Sequence, residues 1–492
     1  MNPTNSLPAD PPRKPANLQG GLIVLVCGLA LLQLILPGIA ISLVFGLVLL
    51  LAWLYLCWTF PFQALCCVAV IGMCQGVVKQ LLNWSQIVYI GLDIPWVLFL
   101  AVWLIRRVKV EHSKTFGMID GLLLLFFAWS AIELFNPNLP SKYMAIGALR
   151  NRLLPMLFFW VGKDLLDVPR SQRLLIICLI VAGIGGVLGV YEWTLGSAGV
   201  AKLGPGFVPR SSTAWRDTTG LGHLRPLSIY QDAGLAAMFS TGMFCVALNL
   251  WDQIARKLRP IVIISGLLCV AFVSVSGVRG AVVCGFVGLL TTVLMNYKKA
   301  LPTAIVVGGF IGILSVFGSS HLDQRYQSLA NPLQAYQTNR GHTVTAIDEL
   351  VRDTPLGYGT GSATTAADTY VNLFSPGIKV LVRTNDNAFA VLMAEGGIPF
   401  ALLYSALLLC ILSTAWKARG SSRPIKTLAP ACAVFSTVLI AFSFTNMVID
   451  WQPTNILFWL LTGSLVANSV PERRIALSAP TLTPLRSLRE IQ

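Results

Sequence analysis

Residues 174–193 read LLIICLIVAGIGGVLGVYEW. Within these twenty positions only Glu192 is charged, and it lies next to the end of the run. Twenty helical residues at a rise of 1.5 Å span about 30 Å, the thickness of a bilayer's hydrocarbon core. In hydrocarbon no water can bond the backbone, so the segment must satisfy its own N–H and C=O groups, and a helix does so. The stretch therefore predicts a transmembrane helix.

Reading outward, the same pattern recurs along the chain. The candidate spans are 20–36, 39–58, 62–78, 86–105, 118–135, 145–162, 174–193, 230–249, 260–276, 281–296, 301–317, 387–415, 428–448 and 455–470. Only Pro37-Gly38 separates the first two, and Arg150 and Arg152 sit near the start of the sixth, so the range is 12–14. Composition agrees: 55% of the 492 residues are hydrophobic and 12% charged, against about 25% charged in soluble domains. Mean hydropathy is +0.71. These values exclude a soluble enzyme, a disordered chain and a coiled coil. They predict an all-α polytopic integral membrane protein of about 14 helices.

The net charge of +15 is read by side of the membrane rather than as a sign of nucleic acid. With the N-terminus inside, the inner segments hold 22 of the 36 Lys and Arg, which predicts N-in, C-in topology. The resulting division is a cytoplasmic tail 1–19, a transmembrane bundle 20–317 with an external loop 194–229, a long external loop 318–386, C-terminal helices 387–470, and a cytoplasmic tail 471–492. The loop 318–386 is too long for a passive connector. Its stretch 342–353, beginning at His342, has helical periodicity and predicts an amphipathic helix at the membrane surface. It leads into Pro355-Leu356-Gly357-Tyr358-Gly359-Thr360-Gly361. Gly357 and Gly359 there fit either an ordinary loop with positive φ or backbone amides around an anion or sugar.

Ten arginines fall on the outer side, where the positive-inside rule disfavours them. Arg279 lies between two spans in Ser274-Val275-Ser276-Gly277-Val278-Arg279-Gly280. It either snorkels to lipid phosphate or clamps a phosphate through its planar fork. Arg225, Arg150 and Arg152 open other spans at the same face, and Arg340 and Arg383 lie in the long loop. Phosphates at that depth would belong to a lipid-linked substrate. Asp232 and Asp386 stand at the starts of spans, as acid–base groups, counter-ions or caps. Glu395 lies about 13 Å deeper than Asp386 along a helix, so it must be paired or face a polar cavity.

The 11 cysteines lie in apolar runs without a CxxC pair, and the four histidines lack metal-ligand spacing. No phosphate-binding loop of the GxxxxGK[ST] type occurs. No metal and no cofactor is expected.

Asp386-Asn387-Ala388-Phe389, followed by Glu395, Gly397 and Pro399, resembles the hallmark of the O-antigen ligase and Wzy-type polymerase superfamily. Three further stretches resemble that family's segments in order: Arg225 to Asp232, Ser274 to Gly280, and Arg340 followed by Pro355 to Gly359. The similarity covers roughly 145–415. It implies a GT-C-like glycosyltransferase fold in the bacterial cytoplasmic membrane. It also implies an undecaprenyl-pyrophosphate-linked oligosaccharide as donor, with transfer on the outer face. Partners would be the bilayer and, in the same pathway, chain-length regulator or flippase proteins. Ligases carry His where this chain has Asp386, and the Asp-Asn form is more similar to exopolysaccharide and capsule polymerases. The expected function is a polymerase that is inverting and metal-independent; the alternatives are ligase-type transfer and a transporter or flippase of lipid-linked sugars. Asp386 would be the base, with His342 as a substitute and Glu395 in support. Arg279, Arg225, Arg150, Arg152, Arg340 and Arg383 would bind the pyrophosphate, with Asp232, Gly357, Gly359 and Asn387 close by.

Overall fold

A computed structural model describes residues 39–85, 88, 91–108, 116–139, 141–207, 225–299, 301, 303, 305, 308–309, 352–363, 387–446, 448 and 450–469. Every regular element among them is helical. Among the described residues, seven helices are long and apolar enough to cross a membrane: Pro61–Leu81, Met118–Phe135, Val168–Ala201, Ala233–Leu250, Arg256–Ser276, Ala388–Arg419 and Ile425–Ser443. This is the architecture of a polytopic membrane protein. The expected span 20–36 and most of 301–317 lie outside the described residues.

The chain divides into two compact units. The first comprises Met1–Val68 and Ile94–Glu111. In it, α1 (Ile39–Thr59) packs against α3 (Ile94–Val108). The Trp53 indole donates to the Pro95 carbonyl at 2.9 Å, and the Arg106 guanidinium lies over the Trp58 ring at 5.9 Å. Between these two in sequence runs α2 (Pro61–Leu81), which crosses from the first unit's residues into the second's.

The second unit, Ala69–Asp93 and His112–Gln492, contains the remaining helices. These are α4 (Met118–Ile132), α5 (Lys142–Met156), α6 (Phe158–Leu165), α7 (Val168–Ala201), α8 (Ala233–Leu250), α9 (Arg259–Ser276), α10 (Arg279–Met295), α11 (Ala388–Arg419), α12 (Ile425–Ser443) and α13 (Thr454–Ser469). At its centre, α8 is buried along nearly its whole length and packs against α7, α9, α10 and α12. It is rich in small residues: Ala236, Ala237, Ser240, Gly242 and Cys245 let neighbouring backbones approach closely, as membrane bundles require. At Gly288 of α10, a Cβ would stand 2.6 Å from Val438 and 2.9 Å from Cys245. Outward-facing Ile264, Leu267, Leu290, Leu402 and Leu409 are exposed, the surface a bilayer covers.

The helix boundaries depart from the expected spans in physically readable ways. The span 145–162 is two helices, because Pro155 in the last turn of α5 has no N–H to donate and the chain restarts as α6 after Leu157. The run 174–193 extends to both sides as α7: Asp167 accepts the Arg170 N–H to start it, and a non-helical residue, Gly196, interrupts it. The span 387–415 is α11, broken at Gly396 and Gly397.

Candidate functional site

The break in α11 organises one side of the site. Gly397 has φ +70°, and a Cβ there would strike the Pro355 carbonyl. The break frees three carbonyls, and each finds a donor. Tyr358 N–H bonds to Ala394 O at 2.7 Å and Gly359 N–H to Glu395 O at 2.8 Å. The Trp129 indole donates to Gly396 O at 3.0 Å. In return the Ile398 N–H donates to Pro355 O at 3.0 Å. Asn136 of the α4–α5 connection donates to Gly357 O at 3.2 Å. The Gly-rich turn is therefore docked onto α11. The amides of Gly357 and Gly359 are consumed by the Thr354 and Glu395 carbonyls, so they do not form the anion or sugar cradle that the sequence left open.

Behind the break lies a buried ion triad. Arg152 of α5 donates through Nε and Nη2 to the two oxygens of Asp450, at 2.9 and 3.0 Å. Its Nη1 donates to Glu395 Oε2 at 2.6 Å. The Arg152 side chain is 1% exposed and that of Glu395 is 0%. Glu395 is thus paired, as its depth demanded. Arg152 departs from its expected role. Its fork is filled by two carboxylates inside the protein, so it ties α5, α11 and the turn before α13 together instead of meeting a diphosphate. Arg150 is ion-paired with Asp93.

Three of the described candidates, Asp232, Arg279 and Asn387, have chain neighbours at the end of α12. The Phe389 ring, two positions after Asn387, stacks on Phe444 with centroids 4.8 Å apart. Gly280, next to Arg279, places its Cβ position 3.3 Å from the Thr445 hydroxyl. Gly234, two residues after Asp232, places its own 3.3 Å from the Asn446 amide. Residues 444–446 thus collect the starts of α8, α10 and α11.

Each start has a local reason. Asp232 caps α8, accepting the Leu235 N–H at 3.0 Å. Asn387 caps α11, accepting from Phe389 and Ala390 at 2.9 and 3.1 Å. Gly277 ends α9 in the left-handed conformation, φ +63°, and half-buried Arg279 opens α10 two residues later. The segment from Arg225 to Asp232 is held by Glu192 of α7, which accepts the Ser228 N–H at 2.9 Å. Val77 of α2 donates to Ile229 O at 3.3 Å. Asp386, Arg383, Arg340 and His342 lie outside the described residues.

Sequence reading missed Asp450, Asp93 and Glu192. Asp450 sits in the short turn between the last two expected spans, where a carboxylate signals a partner for a buried arginine; Asp93 fell inside the expected span 86–105 and stands in the turn that precedes Ile94. Glu192 is the lone charge of the run 174–193, and its isolation was the signal. No protein-family model matches the chain, and no curated protein matches its sequence.

Proposed function

We propose that this protein is a polysaccharide polymerase of the outer face of the bacterial cytoplasmic membrane. It would transfer a glycan from an undecaprenyl-pyrophosphate-linked oligosaccharide to the hydroxyl of an acceptor sugar. The observation that carries the reading is the convergence on Phe444–Asn446. Three stretches far apart in sequence, each selected for resembling one family's motifs, bring Asp232, Arg279 and Asn387 to one end of the bundle. A further support is the sealed break of α11. Transporters use broken helices to offer unwound backbone to cargo. Here two of the freed carbonyls are bonded to a docked loop and the third to the Trp129 indole, which suits a fixed reaction surface better than a moving gate.

In this reading the diphosphate is the leaving group and needs no covalent enzyme intermediate. Arg279 and Arg225 take up its developing charge, aided by the amide dipoles at the start of α10. Arg340 and Arg383 add to that sink from the long loop. Asp386, next to the α11 cap, removes the proton from the acceptor hydroxyl as it attacks the anomeric carbon. Displacement from the opposite side inverts the configuration. With guanidinium groups as charge sink, the reaction runs without a metal ion. Arg152 and Glu395 act at one remove, by fixing α5 and α11.

Asp386→Asn tests the reading. In proteoliposomes supplied with a labelled lipid-pyrophosphate oligosaccharide, this variant is expected to bind donor normally and lose at least about 100-fold in turnover, the scale of a positioned base. Asn keeps the shape and cannot take a proton. Turnover near the wild-type rate would remove Asp386 as base and leave His342 next in line. Transfer of the glycan to a different lipid would mean ligase, and movement across the bilayer without product would mean transport.

A further inference from the structure

Glu192 is a buried carboxylate that the reaction outlined above does not use. It is 6% exposed and stands near the end of the apolar run 174–193 of α7. It accepts the Ser228 N–H at 2.9 Å, and the Leu227 N–H also hydrogen-bonds it. Two successive amides turned toward one anion form a nest, a concavity suited to negative charge. Here a side chain of the protein itself fills the nest. Ser228 has φ +57°, the left-handed region, which a serine keeps only where its surroundings hold it there. The surroundings do so. Ser228 is fully buried, its hydroxyl donates to the Gly185 carbonyl, and the Tyr230 N–H closes the turn on Leu227 O at 3.1 Å.

This turn is gripped between two helices. On the α7 side, a Cβ at Gly185 would stand 3.0 Å from Ile229 Cδ1, and one at Gly189 would stand 3.3 Å from Ser228 Cβ. On the α2 side, a Cβ at Gly76 would strike the Tyr230 carbonyl at 1.9 Å. The Val77 N–H reaches Ile229 O at 3.3 Å, and Lys79 Nζ donates to Gln231 Oε1 at 2.5 Å. Non-helical backbone beside an apolar span has no water to bond, so its partners must come from the protein. Held strain of this kind clusters where geometry serves a site. The gripped stretch begins three residues after Arg225 and ends at Asp232, the α8 cap. We propose that Glu192 is a positioning residue: by holding the amides of Leu227 and Ser228, it fixes where the Arg225 guanidinium stands to receive a diphosphate. The inference rests on the reading of Arg225 as a diphosphate ligand.

The test is a double-mutant cycle in the full-length protein, read as affinity for inorganic diphosphate by calorimetry. Glu192→Gln keeps the size and one acceptor oxygen but turns an NH2 toward a backbone donor. Glu192→Leu removes both acceptors. With Arg225 present, the Gln variant is expected to bind diphosphate about tenfold more weakly, and the Leu variant more weakly still. With Arg225→Ala, neither change is expected to weaken binding further, because the group they displace is gone. Equal losses in both backgrounds would mean that Glu192 acts on the whole fold, and would overturn the proposal. So would wild-type affinity in both Glu192 variants, or a wild-type protein that binds no diphosphate. If the Leu variant does not fold, the Gln variant alone decides the cycle. Coupling between Glu192 and Arg225 in a protein that makes no polymer would keep the positioning role and reject the polymerase reading. Polymer formation without that coupling would do the reverse.

Discussion

Arg279→Ala is expected to lower chain growth by about 100- to 1,000-fold while the protein still inserts and purifies at the wild-type yield. The magnitude is that of removing one preorganised donor from a developing negative charge, about 3–4 kcal/mol. Arg279 is suited to that role by its place in the backbone. Gly277, at φ +63°, turns the chain sharply between α9 and α10, so the guanidinium stands on the first residue of a helix. The N-terminal amide dipoles of α10 add to its charge. Arg279→Lys should recover little, because an ammonium keeps the charge and loses the two parallel N–H bonds. Initial rates with donor above saturation separate the two roles. Full activity in the alanine variant would leave Arg279 as a lipid-headgroup contact only.

The second large effect is on stability. Arg152→Leu should destabilise the folded protein by about 3–5 kcal/mol, because it strands Glu395 and Asp450 as unpaired buried carboxylates. Heat unfolding in detergent reads this directly. The same physics predicts a partial rescue. Combining Arg152→Leu with Glu395→Leu and Asp450→Leu removes all three charges, and an apolar cluster of similar volume is close to neutral. Stability in the triple variant should therefore exceed that of the single variant. Activity should not return with it, since the triad also holds the α11 break where the Pro355–Gly361 turn docks. A single variant melting at the wild-type temperature would show that the triad does not hold the bundle.

The helices of this protein were legible from local composition because a hydrocarbon solvent leaves the backbone few choices. Residues 174–193 announce a span without reference to anything else in the chain. What composition could not reveal is where such a run breaks. Pro155 was visible and still sits inside an expected single span. Gly396 and Gly397 look like any small pair in a membrane helix, and their break exists only because Tyr358, Gly359 and Trp129 supply the missing donors. Partnerships were the least legible. The depth of Glu395 required a partner, and the charge of Arg152 suggested a phosphate. Only folding shows that each answers the other, across 243 residues, with Asp450 completing the set. At the start of α11 the sequence offered Asp386 as a possible cap, and the backbone bonds show Asn387 in that role.

The central claim is that this chain forms glycosidic bonds between lipid-linked repeats. The most direct measurement is product size from purified protein in detergent, supplied only with a labelled undecaprenyl-pyrophosphate oligosaccharide. Detergent removes the two compartments, so transport yields no signal there. The account predicts a ladder of glycans rising in steps of one repeat, with release of undecaprenyl pyrophosphate in equal number, and no ladder from Arg279→Ala at matched protein concentration. Donor recovered at its original length after prolonged incubation with well-folded protein would contradict it.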